Sequence, residues 1–152
     1  MSVDFGCIAW HEDGRWSATT LASTRDIGAI IDALKAQQTN GGAIALIAIE
    51  DEFVIIARAL GDQMQMMISD ITYALDYEVA AELVEVLDLE FPEEEDESQP
   101  GGDLDLSTDL GVSEMELLTI LDDSELYPDE QLEAIANRLG FGDQFNQVIE
   151  SN

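Results

Sequence analysis

Positive charge is scarce in this chain. Its 152 residues hold 5 Lys and Arg against 34 Asp and Glu, a formal net charge of −29. Phosphate recognition needs clustered Lys and Arg, and there is neither cluster nor stripe, so direct nucleic-acid binding is not expected. The same deficit opposes docking on an anionic membrane surface. Cys7 has no second cysteine to pair with, which excludes an intramolecular disulfide and points to a reducing compartment. Its neighbours Phe5, Gly6 and Ile8 mark it as a buried strand thiol rather than a nucleophile. His11 is the sole histidine and reads as a turn residue. Without Cys or His companions at ligand spacing, it gives no transition-metal site. No apolar run reaches the ~18–20 residues of a membrane span. The N-terminus shows no basic stretch followed by an apolar region, so the cytoplasm is the expected location. There is no Gly-rich phosphate loop either: Gly41-Gly42 lacks the following Lys and helix pattern.

What is present is an apolar share of 46%, ordinary for a globular protein. The charge is uneven. From Asp88 onward there are 20 acids and one base, Arg138; the first 87 residues hold 14 acids and four bases. Such a surface favours a basic partner, drawn in by electrostatic steering. Solubility alone, or a high-salt source, would leave the same composition.

The residues between Asp88 and Asp109 read as an acidic hinge. Glu93, Glu94, Glu95, Asp96 and Glu97 run consecutively between Pro92 and the sequence Ser98-Gln99-Pro100-Gly101-Gly102. Like charges repel, proline stops helices and paired glycines resist ordering, so no core is expected there. The expected organisation is an α+β sheet domain over 1–90, an acidic Pro/Gly linker over 91–106 and a short all-α C-terminal segment over 107–152.

Before the hinge, Val3, Phe5, Cys7 and Ala9 alternate on one face of a strand. Asp13-Gly14 is a hairpin signal, and Trp16 to Leu21 makes the return strand. Trp10 and Trp16 flank that hairpin, as an interface or as cross-strand packing. Ser23-Thr24 offers a cap to a helix with Ile27, Ile30, Ile31 and Leu34 on one stripe. Ala43 to Ile49 is a nearly continuous apolar run, expected as a central strand buried on both faces. Strands 53–60 and 63–69 follow, the latter with Met64, Met66 and Ile68 inward. Met64, Met66 and Met67 could also form an adaptable binding face. Asp70 caps a helical turn, and helix 78–87 carries Val79, Leu83, Val86 and Leu87. The order β-β-α-β-β-β-α predicts a five-stranded antiparallel sheet with flanking helices, similar to the profilin-like or longin-like class.

After the hinge, Ser113 and Glu116 form a capping box. Met115, Leu118 and Leu121 are expected as the apolar stripe of helix 113–122. Pro128 opens the next helix, with Leu132, Ile135, Ala136 and Leu139 facing one way and Gly140 ending it. Phe141, Phe145, Val148 and Ile149 point to a last short helix. This segment is too small for an independent core. It is expected to dock on the sheet, on a second copy (a homodimer) or on a partner.

One spacing resembles a calcium loop: Asp103, Asp105, Ser107, Asp109 and Glu114 fall at oxygen-ligand positions. Thr108 stands where that loop needs glycine, and Pro100-Gly101-Gly102 precedes it where a helix should enter. An acidic connector with Ser113 as a cap is the competing reading, and no metal or other cofactor is expected.

Asp109 to Phe145 carries three further motifs. They are Asp109-Leu110-Gly111-Val112-Ser113 with Glu116-Leu117, Leu126-Tyr127-Pro128-Asp129-Glu130, and Leu139-Gly140-Phe141-Gly142 with Phe145. Arg58 with Gly61-Asp62, and Ser69-Asp70 with Thr72, add a looser N-terminal pattern. Together they resemble the tRNA adenosine deaminase-associated proteins of actinobacteria. That family is named for gene neighbourhood with the enzyme that converts adenosine to inosine at a tRNA wobble position, and it brings no assigned functional residues. The enzyme's own zinc signature, a His or Cys with Glu followed by Pro-Cys-x-x-Cys, is absent here. The resemblance itself implies no activity; joined to the charge, it leads to the expectation of a non-enzymatic acidic accessory or regulatory protein, with the deaminase as the candidate partner. The rival is a nucleic-acid mimic that blocks another basic protein. Glu93 to Glu97 with Asp103, Asp105 and Asp109 would steer the partner, and Tyr127 and Phe141 would anchor it unless they pack as helix core.

Overall fold

The structure, a computed structural model, describes residues 4–123 and 125–151. Val3, expected in the first strand, lies outside the described residues. The elements run β1 Phe5–Glu12, β2 Arg15–Thr20, α1 Ile27–Gln37, β3 Ala43–Ile49, β4 Phe53–Leu60, β5 Gln63–Ile68, a 3-10 turn Ile71–Leu75, α2 Glu78–Val86, β6 Gly101–Gly102, a 3-10 turn Thr108–Leu110, α3 Glu114–Leu121, α4 Pro128–Leu139 and α5 Gly142–Ser151.

The protein is α+β with an antiparallel sheet, but the sheet has six strands rather than five, in the order β2-β1-β3-β4-β5-β6. Asp13 and Gly14, both at positive φ, turn β1 into β2 with Glu12 opposite Arg15. A primed turn of this kind matches the right-handed twist of the strands it joins. Glu50 and Asp51, at φ 48 and 58, turn β3 into β4 in the same way. Positive φ on a residue with a side chain costs about 1 kcal/mol, so this acidic turn is mildly strained.

Every residue of β3 is buried, because both of its faces are covered. Strand side chains alternate, so each strand feeds two cores. One face sends Ile8, Ile47, Ile49, Ile55, Met66 and Ile68 against α1 and α2. The other sends Cys7, Ile44, Leu46, Val54, Ile56 and Met67 against Leu117, Leu132, Ile135, Phe141 and Phe145 of the C-terminal helices. The three clustered methionines therefore divide between the faces. The result is an antiparallel sheet between two helical layers, here called the near layer (α1, α2) and the far layer (α3, α4, α5).

Local corrections follow from this packing. Asp26, not Ser23 or Thr24, caps α1 by accepting the Ala29 N–H at 3.1 Å. Thr24 instead donates its hydroxyl to Asp4. In α2 the buried stripe is Val79, Ala80, Leu83 and Val84, while Val86 faces solvent. In α3 the buried residues are Leu117 and Ile120; Met115, expected in the core, is 78% exposed. Ser113 does cap that helix, accepting the Glu116 N–H at 3.2 Å.

The crossover from near to far layer passes around the β5 edge. Gly101 and Gly102 pair with Ile68 and Met67 as β6. Their lack of side chains serves close approach, not looseness. A Cβ on Gly102, at φ +102, would lie 2.4 Å from the Met66 carbonyl, and one on Gly101 would lie 2.5 Å from Ile71 Cγ2. Leu106 then enters the far core, so this end of the acidic stretch does contribute to a core.

Candidate binding surface

Arg58 stands alone among apolar neighbours in central strand β4, and it is buried. Its guanidinium donates to Asp109 Oδ1 at 2.8 Å, Asp109 Oδ2 at 3.1 Å, the Leu106 carbonyl at 3.0 Å and the Gly41 carbonyl at 3.2 Å. Desolvating a guanidinium costs several kcal/mol. Hydrogen bonds involving a charged group return about 1.5–3 kcal/mol each, so four of them offset that cost. The fork fixes where the crossover lands more than it adds net stability. Arg58 also holds the Asp109 carboxyl below its usual range, through those hydrogen bonds first and its charge second. The looser N-terminal motif and the C-terminal one thus meet at this ion pair.

The calcium-like spacing does not converge. Asp103 Oδ2 accepts the Met66 N–H at 3.1 Å, Ser107 donates to the Val112 carbonyl at 3.0 Å, and Asp109 pairs with Arg58. Asp105 and Glu114 are exposed. Among the described residues no group of three or more His, Cys, Asp and Glu is placed to hold a metal ion.

Glu93 to Glu97 are all exposed. The Asp96 carboxylate accepts the Glu93 N–H at 2.8 Å, folding the run into a local turn. Glu93 is raised above the usual carboxyl range by its hydrogen bond with Glu95, then by the charge of Asp96. Of the two proposed anchors, Tyr127 is 65% exposed, at the start of α4. Phe141 is no anchor: it is wholly buried, its ring centroid 4.8 Å from that of Trp16, and no partner can reach it. Trp16 also packs on His11, at 5.0 Å between centroids, so the hairpin aromatics serve internal packing. Burial pushes the Cys7 thiol up to about 12, far from thiolate chemistry at neutral pH.

Two adjoining grooves open beside the strained β3–β4 turn, and Glu52 and Tyr73 line both. The first, about 650 Å³, lies between that turn and the start of α2. Arg25 closes one side of it, bonded to Asp4 at 2.7 Å and Glu50 at 2.5 Å and lying 5.6 Å over the Tyr77 ring. The Tyr73 hydroxyl donates to Glu52 at 2.9 Å, and burial with that carboxylate raises it to about 12. The second groove, about 720 Å³, lies between the crossover and α3, with Pro100 on one wall and Met115, Leu118 and Leu121 on the other. Sequence reasoning missed it. The available signal was α3 itself, which is apolar on two faces when one suffices for the core.

Fold and surface define a class: an acidic three-layer domain, its sheet covered by helices on both faces, with open grooves along one side. The chain belongs to the family of Rv3753c-like tRNA adenosine deaminase-associated proteins, whose model matches residues 4–142. It is 37% identical over 151 residues to Protein Rv3753c of Mycobacterium tuberculosis, a match covering 96% of this chain and 87% of that protein. No solved structure matches. Among the described residues, no helix is long and apolar enough to cross a membrane.

Proposed function

We propose that this protein is a non-enzymatic acidic accessory factor that binds the tRNA adenosine deaminase of its own organism and modulates or stabilises it. The family description supplies the partner. The observation that carries the reading is charge: acids exceed bases by 29, and three of the five bases, Arg25, Arg58 and Arg138, are held in ion pairs within the chain. A tRNA-binding enzyme must present a basic surface to phosphate, and an acidic domain docks on or beside such a surface. The absence of an enzymatic role is part of the proposal. In support, the thiol is buried and the histidine packs at a tilt against Trp16.

The test mixes the purified protein with that deaminase, using size-exclusion with light scattering at low and moderate salt while tRNA deamination is followed. A salt-sensitive complex with an altered rate supports a regulator and gives the sign of its effect. A complex at unchanged rate supports a stabiliser. No complex at low salt and micromolar concentration overturns the reading. The acid excess also favours a second reading, a nucleic-acid mimic that inhibits another basic protein. Equal affinity for unrelated basic proteins would favour the mimic.

A further inference from the structure

We infer that the groove between the crossover and α3 is the seat for a cationic, apolar-anchored peptide segment of a protein partner. This rests on the accessory-protein reading above and names the surface it would use. Four observations converge there. Met115 and Leu118 face the groove while Leu117 and Ile120 of the same helix fill the core, so α3 carries an apolar face its own fold does not use. Met115 is the most exposed large apolar side chain described. Glu114 and Asp122 mark the two ends of that face, and among the described residues neither has a partner for its carboxylate. Eight residue steps along the helix separate them, about 12 Å at 1.5 Å per residue.

The fourth observation is the end of the helix. The last turn of α3 holds no basic residue, and Asp122 and Asp123 follow directly. Negative charge at the negative end of the helix dipole is unfavourable to the helix and attractive to an incoming cation. No lysine or arginine lines the groove anywhere. Charge complementarity therefore fixes the occupant: two Lys or Arg groups roughly 12 Å apart, two turns of an amphipathic helix, with a branched or aromatic side chain between them on Met115 and Leu118. The acidic run Glu93–Glu97 leads into Ser98, Gln99 and Pro100, which form the opposite wall, so it steers basic segments toward the seat.

The test uses the full chain and two probes, the amphipathic peptide KLLKLLKKLLKLLK and a polylysine of equal length, beside the deaminase. Binding is read by fluorescence anisotropy, and the contact is mapped by backbone amide shifts. The seat predicts tighter binding of the amphipathic peptide than of polylysine, with shifts on α3 and residues 98–100. Met115→Ser is expected to weaken it about fivefold through lost apolar burial. Glu114→Gln with Asp122→Asn is expected to weaken it about fivefold at low salt and less at high salt. All three side chains are exposed, so folding is not at risk. Equal affinity for both peptides, or indifference to these substitutions, overturns the seat even if the deaminase binds. Peptide binding at the groove with no deaminase complex sustains the seat and rejects the deaminase as its partner. A homodimer abolished by Met115→Ser assigns the face to self-association and overturns the proposal.

Discussion

Residues 93–98 and 99–112 belong to one crossover; the first is five acids and a serine, the second spaces its three acids among Pro, Gly, Ser and Leu. In the first stretch the five acids touch little beyond themselves: Asp96 holds the Glu93 backbone, and only Ser98 reaches outward, to Asp70. The second stretch is fastened at each step. Gln99 accepts the Ile71 N–H at 2.8 Å, Gly101 and Gly102 pair with β5, Asp103 exchanges two bonds with Met66, and Asp109 meets Arg58. The presence of acids alone does not decide which stretch is fastened. What decides it is whether the backbone lies against an open strand edge with unpaired N–H and C=O groups. Glycine permits that approach, and a run of carboxylates forbids it.

The contrast can be broken most severely at Gly102. A Gly102→Val side chain would collide with the Met66 carbonyl at a left-handed φ. A loss of about 3 kcal/mol is expected in urea unfolding, with the far helices losing hydrogen-exchange protection before the sheet and near layer. Arg58→Met comes next. It leaves the Leu106 and Gly41 carbonyls without their donor, for an expected loss of about 2 kcal/mol. Asp109 contributes less to that loss because its carboxylate stays half in water.

A pH titration sharpens the comparison further, because the two halves respond in opposite directions. Asp109 is depressed by Arg58, so its contribution is present above the ordinary carboxyl value of 3.8 and is lost as pH falls through the lower folded value. Solvent screening limits it to about 1 kcal/mol or less. Asp109→Asn should flatten the acid limb of a stability profile below about pH 4 by that amount. Glu93 is raised, so protonation on acidification relieves the run instead of weakening the fold. The smallest change in stability is expected from replacing Glu93, Glu94, Glu95, Asp96 and Glu97 with their amides, because all five side chains are exposed. The salt dependence of deaminase association should nonetheless become shallower.

Much of the framework was legible because it is written in side chains. The continuous apolar run of β3 marks a strand covered twice, and Leu132, Ile135, Ala136 and Leu139 mark the inner face of α4. β6 was not legible, since two glycines carry no pattern and their pairing depends on a strand more than thirty residues earlier. The phase of α3 was misread because Met115-Leu118-Leu121 and Leu117-Ile120 are both plausible stripes, and only the sheet surface chooses between them. The same ambiguity hid the groove. Arg58 offered a signal that went unused: a lone cation inside an otherwise apolar central strand needs an internal acceptor.

The order of the elements along the chain has a consequence for biosynthesis. Cys7, Ile44, Leu46, Val54, Ile56 and Met67 are all made before the helices that cover them, the last of which brings Phe145. At roughly 5–20 residues per second, the intervening stretch of about 80 residues takes about 4–16 s to emerge. For that interval a sheet with one finished face presents a bare one, beside a newly made run of carboxylates. The acidic segment is made before the far layer closes, and like-charge repulsion between chains opposes their association during that interval.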